Sequence, residues 1–322
     1  MTPTRALATL ALLASAPPLA AQTDPVTTAR EFREAHAAEI LRDYAELLAI
    51  PNVARDGENI RRNAEAIRDL LAERGVAAEL WTLPDSPEAP PIVYGRLAAA
   101  PGDAGSGEGG ERRTLGIYVH YDGQPVDPPK WTTTQPWEPA LYSKAVEAGG
   151  EPVPFPEPGQ PIDPEWRLYA RSAGDDKAPI PAILAALDAL QGAGIPLTSD
   201  LVFFFEGEEE AGSTHLEDYM RAHRDELRVD AWLICDGPVH QSRRPQLVFG
   251  VRGYTGLDVT VYGATRYLHS GHYGNWAPNP AIALAHMLAS MRTPDGQVLI
   301  AGFGDSTVAP TESELAAIAA LP

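Results

Sequence analysis

Four short clusters of acidic and imidazole side chains follow apolar runs in this chain, and each offers groups that can hold a cation or move a proton. The first is Val119-His120-Tyr121-Asp122. Residues two apart on an extended chain share a face, so Asp122 can stand beside His120 and fix its tautomer, as carboxylates behind ligating imidazoles do. The second is Ser172-Ala173-Gly174-Asp175-Asp176-Lys177. One carboxylate here can bridge two cations through its two oxygens, although adjacent acids ahead of a helix also serve as plain N-caps. The third is Glu206-Gly207-Glu208-Glu209-Glu210. Such crowding repels itself unless cations hold it, and neighbouring carboxylates can then divide the work of binding metal and taking a proton; the plainer use is a solvated acidic loop. The fourth is Cys235-Asp236-Gly237-Pro238, compatible with a metal ligand or with an ordinary turn. Together the clusters supply His, Asp, Glu and Asp at successive strand ends. Oxygen and imidazole donors without thiolate suit a catalytic zinc or manganese pair rather than a structural zinc site. Two adjacent cations can clamp a scissile carbonyl and the water that attacks it.

The elements that must carry these clusters alternate between helix and strand. Spacing predicts a helix over residues 22–48, with Ile40, Leu41, Tyr44, Leu47 and Leu48 on one side and Pro51 as its stop. A second helix is predicted over 59–74, with Gly75 supplying a left-handed end. Short β-like runs follow at 78–81, 92–95 and 115–119, and a further helix at 179–191. Residues 201–205, Leu-Val-Phe-Phe-Phe, form a continuous apolar strand of the kind buried on both faces. Residues 101–110 read as a polar, Gly-rich loop, and 145–164 as a Pro- and Gly-dense surface insertion. The alternation implies an α/β fold, a mostly parallel sheet covered by helices, with sites at the carboxyl edge of the strands. At Gly250 the texture changes. Residues 257–262 alternate like a half-exposed strand, a helix is predicted over 280–291, and Thr311-Glu312-Ser313-Glu314 has capping-box order. The expected organisation is a leader over 1–21, a catalytic metal-binding domain over 22–249 and the start of a smaller α+β domain over 250–322.

The 25 Lys and Arg residues against 44 Asp and Glu leave a formal charge of −19, which argues against nucleic-acid and membrane-surface partners. Arg5, the apolar run from Ala6 to Ala14, Pro17-Pro18 and Ala20-Ala21 have the order of a secretory signal peptide, too short to span a bilayer. A secreted or periplasmic protein is expected. The single cysteine, Cys235, cannot pair internally and sits in an apolar run, where it reads as a small core residue.

The motifs resemble a known family. His120-Tyr121-Asp122-Gly123-Gln124-Pro125 resembles the His-x-Asp-x-Gln-Pro signature of carnosinases and related dipeptidases. The run from Tyr169 to Pro179 resembles Gly-Arg-Gly-x-x-Asp-Asp-Lys-Gly-Pro, with Ala170 and Ala178 standing where Gly is usual. Glu206 to Gly212 resembles Glu-Gly-x-Glu-Glu-x-Gly, and Leu268 to Gly274 resembles Leu-His-Ser-Gly-x-Tyr-Gly. All four occur in the order found in the two-zinc exopeptidases that include carnosinase, carboxypeptidase G and acetylornithine deacetylase, with the dipeptidase branch nearest. The resemblance implies two Zn2+ ions per site, with Mn2+ or Co2+ as alternatives. It implies His120 and Asp236 on one ion, Glu210 on the other and Asp175 bridging both. It further implies Glu209 as general base, Asp122 orienting His120, and His269 stabilising the oxyanion from a smaller lid domain that also makes a homodimer. Dipeptides or short peptides would be the substrates. No His follows His286, where relatives place a last zinc-binding His and a lid Arg. The resemblance therefore implies an early end within the lid, one ion held more firmly than the second, and weak turnover by this chain. Two other readings stay open: an N-acyl amino acid amidohydrolase of the same family, and a non-catalytic exported binding protein.

Overall fold

The computed structural model describes residues 24–99, 112–237, 239–244, 246–251 and 253–321. The leader at 1–21 lies outside the described residues, as does the predicted loop at 101–110. The chain divides into two compact units, Met1–Gly237 and Pro238–Pro322.

In the first unit the stretch predicted as one helix forms two, α1 (Pro25–Ala35) and α2 (Ala37–Leu48). His36 leaves the helical region between them at φ −114° and ψ 19°. Asp24 caps α1, accepting from Thr27 N, and Pro25 begins it, where a missing N–H costs nothing. α3 (Gly57–Ala72) starts two residues earlier than its apolar spacing suggests, because Asp56 caps it through Asn59 N. Ile60, Ala64, Ile67 and Leu71 make its buried stripe, and Gly75 follows at φ +76°.

The central sheet contains β1 (Ala77–Trp81), β2 (Ile92–Leu97), β3 (Thr114–His120), β7 (Asp200–Glu206) and β8 (Ala231–Ile234), in the order β1-β2-β7-β3-β8. β7, β3 and β8 run parallel to one another, β2 pairs antiparallel with β7, and β1 pairs antiparallel with β2 at the edge. β7 is buried on both faces, as its unbroken apolar run requires. Phe203 and Phe205 enter a core with α3 and with α4 (Pro179–Gly192), while Val202 and Phe204 pack on the opposite face with Trp81, Tyr94 and Tyr219. Each fully buried Phe is worth about 1.5–3 kcal/mol of transfer free energy.

Residues 145–164 are irregular apart from a 3-10 turn at Val146–Ala148 and two-residue β5 (Pro152–Val153). β5 joins β4 (Ala140–Tyr142) and β6 (Arg167–Tyr169) in a small antiparallel sheet. α5 (Leu216–Ala222) connects β7 to β8.

The second unit holds α6 (Ser270–Tyr273), α7 (Pro280–Ser290) and α8 (Glu312–Ala319). α7 matches its predicted range, with Asn279 accepting from Ala281 N as N-cap. α8 has both hydrogen bonds of the Thr311–Glu314 capping box. The strand expected over 257–262 is a correction: these residues pair with no strand among the described residues, and Leu257 and Tyr262 are exposed. A strand exists through its ladder, and alternation alone supplies no partner.

Candidate metal centre

Strand register brings the chemistry to one edge. β3 and β7 pair so that His120 lies opposite Glu206, and Tyr118 of β3 lies opposite Ile234 of β8. Asp236, two residues beyond Ile234, therefore comes level with His120, and its Oδ2 stands 3.8 Å from His120 Nε2. The turn between β6 and α4 delivers the paired acids. Asp175 Oδ1 lies 3.0 Å from His120 Nε2, and Asp176 Oδ2 accepts from His120 N at 3.2 Å. Donor atoms of His120, Asp176 and Asp236 all lie within 4.8 Å of one another.

Asp122 is fully buried behind the imidazole, its Oδ1 3.3 Å from His120 Nδ1. This is an off-axis ion-pair contact rather than an aligned hydrogen bond. Both Asp122 oxygens have a second task. Oδ1 accepts from Glu209 N and Oδ2 from Glu210 N, each at 3.1 Å, so one carboxylate backs the ring and pins the 3-10 turn Glu209–Ala211.

The acidic run divides by direction. Glu206 turns inward and accepts from Tyr118 Oη at 2.7 Å. Glu208 is buried and accepts from His215 N at 2.6 Å, with His215 Nδ1 3.0 Å away. Glu209 Oε2 faces the imidazole at 3.9 Å from Nε2. Glu210 Oε2 accepts from Gln124 Nε2 at 2.5 Å. The run is thus two structural anchors followed by two groups at the site.

Burial alone would lower the affinity of His120 for its proton. The Asp122 contact and the charges of Asp122, Asp176 and Asp236 outweigh that and push it up to about 10. Burial pushes the Asp176 carboxyl up to about 7, against the pull of the His120 N–H and with Asp236 and Asp175 adding to the rise. Burial also raises Glu209, which Asp236, Glu210 and Asp122 reinforce against the pull of His120. Asp176 and Glu209, held beside one imidazole where they resist ionisation, belong to a donor set that a divalent cation would relieve. The residues present therefore fit a metal ion.

The structure gathers His120, Asp122, Asp175, Asp236 and Glu209, and ties in Glu210 through Asp122 and Gln124. His269 belongs to the second unit, where it caps α6, its Nδ1 accepting from Gly271 N at 3.0 Å. The resemblance gives the bridging role to Asp175; the tight triad of donor atoms is completed by Asp176, which the sequence places in the same turn without a role of its own. Asp175 keeps one oxygen 3.0 Å from His120 Nε2 while its side chain is 71% exposed. Ser172, in the same cluster, is given no role by the sequence; it sits at φ +61° where the Asp-Asp-Lys signature has its second Gly, and that mismatch was the available signal. Lys177 is fully buried; its Nζ donates to Leu47 O at 2.8 Å and Asn63 Oδ1 at 2.5 Å, which straps the acidic turn to α2 and α3. Burial pushes its ammonium down to about 7.

Residues 116–283 match the family model described as peptidase family M20/M25/M40, a span that includes β7, β8, nearly all of β3 and the acidic turn. The chain is 30% identical over 230 residues to the Cys-Gly metallodipeptidase dug1 of Schizosaccharomyces pombe, covering 70% of this chain and 42% of that protein. It is 26% identical over 299 residues to human Beta-Ala-His dipeptidase, covering 88% of this chain and 53% of the relative. Among solved structures, the M20 family metallo-carboxypeptidase Sso-CP2 of Sulfolobus solfataricus superposes with a TM-score of 0.63 at 28% identity, covering 87% of this chain and 56% of that one. The chain spans about half the length of the relatives it matches. With a family match across the strands and turn that carry the candidate ligands, the chain belongs to peptidase family M20/M25/M40.

Proposed function

We propose that this protein is a metal-dependent dipeptidase, exported and dimeric, whose cation sits on His120, Asp236 and the Asp175-Asp176 turn. The observation that carries the reading is the convergence of those side chains at one edge of the parallel strands, with Glu209 3.9 Å from the shared imidazole. A divalent cation bound here, zinc in this reading with Mn2+ or Co2+ as alternatives, would polarise the scissile carbonyl and acidify the attacking water. Asp175 has the exposed carboxylate suited to reach a second ion, which Glu210 would help to hold. Asp122 keeps the imidazole in one orientation and fixes the backbone of Glu209 and Glu210. Glu209 takes the proton of the attacking water and returns it to the leaving amine; burial and acidic neighbours raise its proton affinity, as a general base near neutral pH needs. His269 would steady the oxyanion. The names of the metallodipeptidase relatives support the dipeptide substrate class. The leader-like residues 1–21 support export.

A panel of free dipeptides and N-acyl amino acids, assayed with Zn2+, Mn2+ and Co2+, tests the reading. Dipeptide hydrolysis abolished by Glu209→Gln, with metal retained, is the expected outcome. Preference for N-acyl amino acids would move the protein to the amidohydrolase branch, and activity untouched by Glu209→Gln would remove the assigned base.

A further inference from the structure

Asn52 lies between α2 and α3 and is fully buried. Its Nδ2 donates to Tyr121 O at 2.8 Å and to Ser172 Oγ at 2.8 Å. Its main-chain O accepts from Gly123 N at 2.9 Å. Tyr121 and Gly123 flank Asp122, and Ser172 opens the turn that ends in Asp175 and Asp176. One residue therefore grips both segments that bring ligands to the candidate centre. Ser172 Oγ completes the circuit by donating to Asp122 O at 3.3 Å.

Ser172 makes this arrangement particular to the chain. Its φ of +61° is a left-handed conformation that Gly adopts freely and that a Cβ resists. Its hydroxyl also fills the space beside Gly123, where an added Cβ would overlap Oγ. The serine is held in place by Asn52 Nδ2, by Tyr44 Oη donating to Ser172 O at 3.4 Å, and by Lys177 N donating to the same oxygen at 3.2 Å. Without the carboxamide, Tyr121 O and Ser172 Oγ would lose the donor that Asn52 supplies, and the two segments would be left with only their own contacts, Ser172 Oγ on Asp122 O and the paired acids on His120.

We propose that Asn52 is a positioning residue for the metal centre, clasping the segment 120–123 to the turn 172–176 so that His120 and the paired acids meet. The proposal rests on the metal reading above. It touches no ligand atom; it acts through the backbone that presents them.

The test uses the full chain as wild type, Asn52→Ala, Asn52→Ser, and Asn52→Ala combined with Ser172→Gly. Each is stripped with chelator, its metal-free melting temperature recorded, and Zn2+ affinity measured by competition with a chromophoric chelator. The Co2+-loaded absorption spectrum reports ligand geometry. Loss of outer groups that orient metal ligands typically weakens binding by about 10–100-fold, and Asn52→Ala should fall in that range with an altered Co2+ spectrum. Asn52→Ser, the gentler variant, should lose less. Ser172→Gly should recover part of the affinity lost in Asn52→Ala, because it relieves the resisted φ and removes a buried hydroxyl that has lost its donor from Asn52. Wild-type affinity and spectrum in Asn52→Ala would overturn the clasp alone. So would a loss that only follows melting temperature, as in a remote core variant such as Phe203→Leu, without rescue. A wild-type chain that takes up no metal would overturn the metal reading and the clasp with it.

Discussion

Residues 201–205 and residues 257–262 both carry the sequence marks of strands, and only the first became one. β7 lies between β2 and β3, with Phe203 and Phe205 fully buried. Residues 257–262 run unpaired among the described residues, with Leu257 78% and Tyr262 88% exposed. The contrast extends to the whole units. The first contains two packed clusters and a buried polar network; no described residue of the second is buried. Yet α7 and α8 form in the second unit where their sequences place them. Their start signals are local: Asn279 with Pro280, and the Thr311–Glu314 box. Helices close their hydrogen bonds within a few residues, whereas strands borrow theirs from elsewhere in the chain. The candidate metal centre sits on the region whose contacts are non-local.

The largest expected difference is in stability. Phe203→Ala should cost about 3–5 kcal/mol in denaturant unfolding, and Tyr262→Ala should stay within about 0.5 kcal/mol. Equal effects would erase the comparison. Next is metal linkage. Zn2+ at about 100 times its dissociation constant should stabilise the first unit by about 2.7 kcal/mol, with amide exchange in the second unit unchanged. A smaller effect, about 1 kcal/mol, is expected for Thr311→Ala, read as lost α8 helicity with the first unit intact.

The pH response should separate the units by sign. In the metal-free first unit, Asp176 and His120 have proton affinities above their ordinary values. Stability from a raised group is present below its unfolded value and lost as pH rises through the folded one, so Asp176 withdraws stability as pH rises from about 4 to about 7. His120 does the same as pH rises towards about 10. In the second unit, hydrogen bonds from Thr311 lower Glu314, whose contribution to α8 is lost as pH falls through that lowered value. Melting of chelated protein across pH, with circular dichroism for α8, checks both directions. Saturating Zn2+ should cancel the first trend and leave the second.

Much of the first unit was legible because its signals were strong and redundant: an unbroken apolar β7, a 3.6-residue stripe on α3, Gly75 at a helix end. The break at His36 was not, since the apolar stripe of α2 carries no mark of where the preceding helix stops. Nor were the antiparallel β1 and β2, because period and composition do not record strand direction. At the site, His120, Asp122 and Asp236 could be read from their places at strand ends. Asp176 could not be told from Asp175, since a turn, unlike a strand, has no fixed period to say which carboxylate faces inward. The separate uses of Glu206 and Glu208 depended on Tyr118 and His215, partners that spacing does not reveal. Asn52 is 68 residues from His120 in sequence, and only the folded chain brings them together.

Zn2+ competition titration of wild type and His120→Ala, both shown folded without metal, tests most directly whether the imidazole at the end of β3 holds the cation. Tight uptake by the wild type, weakened about 100-fold or more when the imidazole is removed, is the predicted result. Equal uptake by both chains would mean that the imidazole at the end of β3 is not where the cation binds.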